Sequence, residues 1–191
     1  MNLERLRHWR PAILGVLGVC VAAAVALTAM GRVPWCKCAS PSPWSWDIWS
    51  LHNSQHLLDP YTFSHMLHGV VFYGLLFAVL RGRYPRVAVV IAAGLEAAWE
   101  LLENTESVIQ HYRETTISLD YYGDSVANSV SDILACVAGY ALAAAVPWWV
   151  SVVGFAVTEL MLAAWIKDSL LLNVLMLVYP LDVVKQWQMG E

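Results

Sequence analysis

The chain has 191 residues, of which 59% are apolar and 14% are charged, and its net charge is −4. Soluble domains carry about 25% charged residues, and a soluble fold of this length cannot bury so much apolar surface. The composition therefore excludes a free cytosolic enzyme and a disordered chain, and the acidic balance excludes the basic surface of a nucleic-acid-binding protein. We expect one all-α domain, a polytopic bundle of transmembrane helices within a lipid bilayer.

Five apolar segments are long enough to cross a bilayer core, which takes about 20 residues of helix. They are predicted at residues 11–31, 61–80, 87–109, 124–146 and 148–166, with a long outer loop at 32–60. A sixth segment at 170–184 is shorter and contains Pro180, so it is predicted as a short span, a re-entrant helix or an interfacial helix. If it spans, it returns Lys185 to the side on which the chain begins.

Clusters of arginine predict the orientation of these spans. Arg5, Arg7 and Arg10 precede the first span, and Arg81, Arg83 and Arg86 link the second to the third. Basic loops stay in the cytoplasm, and two crossings separate the clusters, so the N-terminus is predicted to be cytoplasmic. The first span is interpreted as an uncleaved anchor rather than a signal peptide, because its apolar run exceeds the usual 7–15 residues.

The outer loop contains two features with several interpretations. Trp35, Trp44, Trp46 and Trp49 are typical of indole rings placed among lipid headgroups. The Cys36-Lys37-Cys38 segment is compatible with a soft metal such as Cu(I), with disulfide exchange in an oxidising compartment, or with two cysteines of no special role. These three interpretations remain open at this point.

Polar side chains inside the spans fall on three helix faces. At about 100° per residue, Tyr61, His65 and His68 share a face of the second span. The third span carries Glu96, Glu100 and Glu103 on one face, and the fourth carries Asp124, Asn128 and Asp132. Ionisable groups in a span usually face the protein interior or a wet cavity, so we expect the three faces to meet in a cavity that opens outward. The alternative is that they only hydrogen-bond the helices to one another.

The chemistry of these residues fits a metal site or an acid–base site. Neighbouring buried carboxylates cannot all be ionised unless a cation neutralises them. The predicted ligands of a divalent metal such as zinc are His65, His68, Glu96, Glu100, Glu103 and Asp132. The predicted catalytic residues are His65, His68, Glu100 and Asp124. The predicted substrate-binding residues are Tyr61, Arg113, Asp120, Tyr122 and Asn128.

Three functions are compatible with such a cavity. A membrane enzyme acting on a lipid or lipid-linked headgroup fits its expected depth in the outer leaflet. A proton- or metal-handling transporter needs a polar path to the cytoplasm, and the inner halves of spans two to four are apolar. A non-catalytic assembly protein would use the polar faces only to hold its helices together.

Several motifs occur in order along the chain. They are Met30 to Cys38, Asn53-Ser54-Gln55-His56, Tyr61-Thr62-Phe63-Ser64-His65, Leu95-Glu96 with Trp99-Glu100, and Thr116 to Ser125 with Asn128-Ser129. With them the chain resembles a family of uncharacterised multi-pass inner-membrane proteins of Gram-negative bacteria, over residues 30–173 and at Trp187-Gln188. The resemblance implies a plasma-membrane protein and brings no activity with it.

The chain also has a looser similarity to VanZ-like membrane proteins. Those proteins place a His in one span, a Glu in the next, and an Asp followed by an Asn in the one after. The matching positions are His65 or His68, Glu96 or Glu100, and Asp124 with Asn128. This similarity implies a role at the cell envelope that involves lipids or lipid-linked molecules.

Overall fold

The fold is a bundle of helices, seen here in a computed structural model. It describes residues 3–116 and 121–190, with side chains from residue 7 onward. The helices are α1 (Leu3–Ala29), α2 (Thr62–Leu80), α3 (Pro85–Glu103), α4 (Glu106–Thr115), α5 (Val126–Ala145), α6 (Trp148–Ile166), α7 (Leu170–Val178) and α8 (Asp182–Met189). Within the described ranges the only β pairing is an isolated bridge between Trp44 and Leu58. The predicted all-α bundle is confirmed.

Four helices are long and apolar enough to cross a membrane, and they indicate a membrane protein. They cover Arg7–Ala29, Thr62–Leu80, Val126–Ala145 and Trp148–Ile166. The helix α3, predicted as a further span, is as long as α2 but carries Arg86 and three glutamates. These charged residues make α3 the most polar of the long helices, and it packs against α1, α2 and α5.

The core of the bundle is formed by α1, α2, α3 and α5, and α6 packs on its side against α2. The closest approach is between α2 and α5, where glycines replace side chains. A methyl group on Gly69 would overlap the backbone of Cys136 and Tyr140, and one on Gly139 would overlap the backbone of Met66. Small residues at a crossing allow two helix backbones to come into contact, which sets the spacing of the polar faces farther along both helices.

The two ends of the bundle differ in charge and in structure. Nη1 of Arg86 donates a hydrogen bond to the carbonyl of His8 at 3.1 Å, so the start of α1 and the α2–α3 link share one end. We call it the basic end. At the opposite end, the loop end, residues 32–60 fold onto the start of α5. The backbone of Ser125 donates to Ser54 at 3.0 Å, and the Gln55 amide donates to Gly123 at 2.8 Å.

The third predicted span is wrong at its end, because α3 stops at Glu103 rather than at residue 109. The side chain of Asn104 donates to the carbonyl of Glu100 at 3.0 Å and to the carboxylate of Asp124 at 2.9 Å. Short polar side chains that bond to nearby backbone favour helix ends over helix interiors. The chain then turns at Thr105, which has extended backbone angles, and continues as the separate helix α4.

The sixth predicted segment is two short helices rather than a span. The nine residues of α7 extend about 14 Å, less than half of a bilayer core. The helix ends before Pro180, and α8 begins at Asp182. The ammonium of Lys185 donates to the carbonyl of Glu114 in α4 at 2.6 Å. The condition under which Lys185 would return to the side of the N-terminus, a sixth span, is therefore not met, and α8 lies at the loop end.

Candidate functional site

The three polar helix faces meet at His65, near the loop end of the bundle. Nδ1 of His65 on α2 lies 2.6 Å from Oε1 of Glu96 and 3.4 Å from Oε1 of Glu100, both on α3. Its Nε2 lies 3.9 Å from Oδ2 of Asp132 on α5. The structure thus brings together one histidine and three carboxylates from three helices, as the helical periodicity predicts.

Glu96 orients two histidines with one carboxylate. Its Oε1 accepts hydrogen bonds from Nδ1 of His65 at 2.6 Å and from Nδ1 of His68 at 2.9 Å. Glu96 itself is 0% exposed. Because both histidines use Nδ1 to donate to Glu96, the Nε2 atom of each ring is left for another partner.

Glu100 and Asp132 have buried oxygens that accept no hydrogen bond. Both carboxylate oxygens of Glu100 and Oδ1 of Asp132 have no hydrogen-bond partner among the described residues. Glu100 is 0% exposed and Asp132 is 2% exposed. Burying a carboxylate without a partner is costly, so such groups take up a proton or bind a cation. These oxygens are aimed at the space around His65.

Two overlapping sets of three side chains have the spacing that a metal ion requires. The first is His65, His68 and Glu96, and the second is His65, Glu100 and Asp132; within each set the ligand atoms lie within 4.8 Å of one another. In the first set the atoms already hydrogen-bond to each other. In the second set both oxygens of Glu100 and Oδ1 of Asp132 accept no hydrogen bond from the described residues, so the second set is the better candidate for a metal site.

A cavity of about 50 Å³ opens beside this cluster. A water molecule needs about 10–15 Å³ of such space, so the cavity holds a few waters or a hydrated ion. The walls come from α2, α3, α5, α7 and the 32–60 loop, and include Ser54, Tyr61, His65, His68, Trp99, Glu103, Tyr121, Asp124, Asn128, Asp132 and Asn173. The cavity therefore has His65, His68 and Asp132 on one wall and polar loop residues on another, whereas Glu96 and Glu100 lie behind the wall rather than on it.

Asp124 and Asn128 line the cavity but already have protein partners. Asp124 accepts hydrogen bonds from the Tyr121 hydroxyl at 2.8 Å and from the Asn104 amide at 2.9 Å. Burial nevertheless raises the pKa of Asp124, which lies just before α5. The Asn128 amide donates to the carbonyl of His56 at 2.9 Å, and so holds the 32–60 loop against α5.

Other predicted site residues lie farther from the cluster. Glu103 lines the cavity but belongs to neither metal-binding set. Arg113 donates to the carbonyl of Tyr121, and it lines a separate shallow pocket together with Tyr122. The predicted substrate-binding residue Asp120 lies outside the described residues.

Tyr61 leads from the cavity to a second buried carboxylate, Asp168. The Tyr61 hydroxyl donates to Oδ2 of Asp168 at 3.2 Å, and burial raises the pKa of Asp168 to about 6. Glu159 on α6 has a different role, because its two oxygens accept from the backbone of Leu170 and Leu171, each at 3.0 Å. Glu159 is thus a cap for the start of α7.

The cavity also contains residues that the sequence analysis missed. The Trp99 ring meets the His68 ring edge-on, with centroids 6.1 Å apart. Its position three residues after Glu96 places it on the glutamate face of α3, which is a signal present in the sequence. Ser54 and Asn173 come from the loop and from α7, and no local pattern places them at the cavity.

Comparison with known proteins identifies the family. Residues 27–190 match the family described as "Protein of unknown function (DUF2585)". The chain belongs to this family. It is 47% identical to the UPF0314 protein of Sinorhizobium fredii, over 95% of this chain and 91% of that protein. It is 49% identical to the UPF0314 protein of Paracoccus denitrificans, over 89% of this chain and 88% of that protein.

No solved structure gives a significant match to the chain. The resemblance to a bacterial family seen in the ordered motifs is confirmed by the UPF0314 relatives. The names of the UPF0314 relatives give no reaction and no ligand.

Proposed function

We propose that this protein is an enzyme of the bacterial inner membrane that acts on a lipid or lipid-linked headgroup with a metal-dependent centre at His65, Glu100 and Asp132. The observation that carries the proposal is the set of buried, unpaired carboxylate oxygens of Glu100 and Asp132 beside His65. One histidine and two carboxylates suit Zn²⁺ or Mn²⁺. The neighbouring cavity would give a bound metal room for water or substrate as a further ligand.

Each residue of the centre has a distinct task. The His65 ring, with Glu100 and Asp132, would hold the metal, and Glu96 would orient the ring through its hydrogen bond to Nδ1. A carboxylate that orients a metal-bound histidine in this way also makes the ring a stronger ligand. A bound divalent metal lowers the pKa of its water and polarises a phosphoryl or carbonyl oxygen. Glu103 and Asp124, on the cavity wall, are placed to exchange protons with a bound headgroup.

The exposed aromatic residues support access from the headgroup region. Trp165 near the end of α6 packs against Trp46 with ring centroids 5.8 Å apart, and against Phe63 on α2 at 6.5 Å. At the other end of α6, Trp148 is 77% exposed. Trp148 and Trp165 are about 25 Å apart along the helix, which fits two aromatic belts around a bilayer core. Phe63 is two residues from His65, so the centre lies near one belt.

The distribution of arginine supports an inner-membrane orientation with the basic end in the cytoplasm. Arg7, Arg10, Arg81, Arg83 and Arg86 lie in short segments at that end, and short basic loops stay in the cytoplasm. The loop end, with the cavity, then faces the periplasm. The substrate headgroup is accordingly one in the outer leaflet of the inner membrane.

The packing of the bundle supports an enzyme over a transporter or an assembly protein. Toward the basic end, Ala12, Leu76, Ala88, Ala92 and Tyr140 form an apolar cluster, which favours a cavity closed on that side over a polar path across the bundle. Helix contacts made only for assembly would pair the carboxylates, whereas both oxygens of Glu100 accept no hydrogen bond among the described residues. A buried carboxylate that accepts no hydrogen bond, beside a histidine that lines a cavity, is better explained by a ligand.

Metal content of the purified protein tests the centre. We expect the wild type to contain Zn²⁺ or Mn²⁺ at the His65 centre. The variants His65→Ala and Glu100→Gln should lack the metal of this centre. The matched control is Glu106→Gln, which makes the same substitution at an exposed glutamate of α4. Equal metal content in Glu100→Gln and Glu106→Gln would contradict a metal ligated by Glu100.

A lipid analysis tests the reaction. A strain without the gene is complemented with wild type, Glu100→Gln or Glu106→Gln at matched protein levels, and lipid extracts are compared by mass spectrometry. We expect at least one lipid or lipid-linked species to accumulate in the deletion strain. Wild type and Glu106→Gln should remove it, and Glu100→Gln should not. Full restoration by Glu100→Gln would reject a catalytic role for the cluster.

A further inference from the structure

A second cluster of metal-binding side chains lies in the 32–60 loop, apart from the His65 centre. Cys36, Cys38, His52 and His56 each offer one ligand atom, and these four atoms lie within 4.8 Å of one another. Sγ of Cys36 is 3.4 Å from Nδ1 of His52, and Sγ of Cys38 is 3.9 Å from Nε2 of His56. Two sulfurs and two nitrogens are the ligand types of tetrahedral sites that select Zn²⁺.

The surroundings of His56 leave its Nε2 free for a metal. Nδ1 of His56 lies 2.6 Å from the carbonyl of Ser42, and a carbonyl only accepts, so Nδ1 carries the proton. Nε2 then presents its lone pair to Cys38 and to Nδ1 of His52, which is 3.4 Å away. A histidine whose second nitrogen donates to a backbone carbonyl is the usual arrangement around bound zinc. His56 is 2% exposed, so the ring is held in this orientation.

Backbone amides point at both sulfurs. The amide of Cys38 donates to Sγ of Cys36 at 3.3 Å, and the amide of Ser40 donates to Sγ of Cys38 at 3.3 Å. Such bonds favour thiolates over thiols, and the thiolate is the form that binds a metal. Two thiolates neutralise one Zn²⁺, so a metal-bound cluster carries no net charge.

The spacing of the four residues agrees with a zinc site. The sequence reads Cys36-x-Cys38, then thirteen residues, then His52-x-x-x-His56. Zinc sites of the two-cysteine, two-histidine type have a short cysteine pair, about 12–15 residues, and a histidine pair with three to five residues between. This chain differs only in having one residue rather than two between its cysteines.

We infer that the reduced 32–60 loop binds one Zn²⁺ through Cys36, Cys38, His52 and His56, as a closed structural site distinct from the His65 centre. On binding, the two thiols release two protons and their redox state does not change. In the structure the two cysteines are joined as a disulfide. Forming that disulfide removes two electrons and two protons from the thiols, so it excludes the metal, and a dithiol such as dithiothreitol reverses it.

The zinc site lies beside the loop residues that form one wall of the His65 cavity. The carbonyl of His56 accepts from the Asn128 amide at 2.9 Å, and the neighbouring Ser54 lines the cavity. The next residue, Gln55, donates to the carbonyl of Gly123 at 2.8 Å. The zinc site therefore lies next to the loop segment that lines the cavity and that hydrogen-bonds to the start of α5.

Elemental analysis of the full-length protein tests this site. The protein is purified in detergent with dithiothreitol and freed of loose metal by gel filtration. We expect Cys36→Ser/Cys38→Ser and His52→Ala/His56→Ala each to lose one equivalent of zinc relative to wild type. The matched controls are Cys20→Ser, on α1, and His8→Ala, at an exposed position, and both should keep it. The Glu100→Gln variant should also keep this equivalent, so failure at one centre does not imply failure at the other.

Cobalt spectroscopy on the wild type and variants gives a second readout. Co²⁺ bound by thiolates has an intense ultraviolet charge-transfer absorption, which carboxylate and histidine ligands do not give. We expect this absorption in reduced wild type and in Glu100→Gln, and its loss in Cys36→Ser/Cys38→Ser. Oxidation of wild type with diamide should also abolish it and release the metal without any substitution. A reduced wild type that binds neither zinc nor cobalt through thiolates would overturn the inference.

Discussion

Nδ1 of His65 lies 2.6 Å from Oε1 of Glu96, and this contact joins α2 to α3 at the centre of the bundle. Glu96 accepts from the ring rather than facing the cavity, so its charge acts on the centre through the histidine. The metal-binding oxygens come from Glu100 and Asp132 instead. Glu96 is therefore a positioning residue, and its removal should weaken the centre without deleting a ligand.

We predict that Glu96→Gln lowers the affinity of the His65 centre for Zn²⁺ by about 10–100-fold, the usual effect of losing a carboxylate that orients a histidine ligand. Titration calorimetry in detergent measures it, on a Cys36→Ser/Cys38→Ser background that removes the loop site. Asp132→Asn, which alters a ligand, should reduce affinity further. Affinity equal to that of the parent would mean that Glu96 does not orient His65.

The crossing of α2 and α5 should depend on its glycines. We predict that Gly69→Ala lowers the free energy of unfolding by about 1–3 kcal/mol, the cost of an overpacked contact, because its methyl group meets the backbone of Cys136. Gly74→Ala on the same helix is the control, since nothing lies within 4 Å of a Cβ atom there. Thermal unfolding in detergent distinguishes them. Equal stability of the two variants would contradict the close backbone contact.

Local periodicity predicted much of the bundle and the convergence of its polar faces. The 100° turn per residue is enough to place His65, Glu100 and Asp132 on inward faces, because helices in a bilayer turn ionisable groups toward the protein. The end of α3 was missed because it depends on Asn104, whose partner Asp124 lies twenty residues farther along the chain. Such a tertiary hydrogen bond has no local signature.

The residues around the loop end show a different limit of sequence analysis. Arg113 on α4 is predicted to bind substrate, but its side chain donates to the carbonyl of Tyr121 and lines a separate pocket, because tertiary contacts decide where a long side chain points. The proposed zinc ligands, in contrast, do have a local signal. The spacing of His52 and His56 after the Cys36–Cys38 pair is visible in the sequence.

Glu159 should stabilise α7 as a cap rather than take part in chemistry. We predict that Glu159→Ala lowers the free energy of unfolding by about 1–2 kcal/mol, as for loss of a helix cap, since the amides of Leu170 and Leu171 lose their acceptor. Hydrogen exchange should accelerate at these two amides. Glu159→Gln keeps one acceptor oxygen, so its free energy of unfolding should lie between those of wild type and Glu159→Ala. Glu114→Ala, on α4, is the control, and unchanged exchange in Glu159→Ala would reject the cap.

The last prediction concerns the pH dependence of stability set by Asp168. Burial raises the pKa of Asp168 to about 6. Hydrogen bonds from Ser169 at 2.9 Å and from Tyr61 at 3.2 Å act in the opposite direction and lower this pKa, but burial has the larger effect. The unfolded carboxyl titrates near 3.9. Between about pH 4 and 6 the folded state thus binds more protons than the unfolded state, so the free energy of unfolding falls as pH rises, by about 3 kcal/mol over the window.

We predict that Asp168→Asn, which cannot ionise, removes this contribution, so its unfolding midpoint falls less than that of wild type between about pH 4 and 6. The curves should converge at low pH, where Asp168 is protonated in both states, and separate at neutral pH. Asp47→Asn, at an exposed position of the 32–60 loop, is the control and should follow the wild type. Parallel curves for Asp168→Asn and wild type would show that Asp168 keeps an ordinary pKa in the fold.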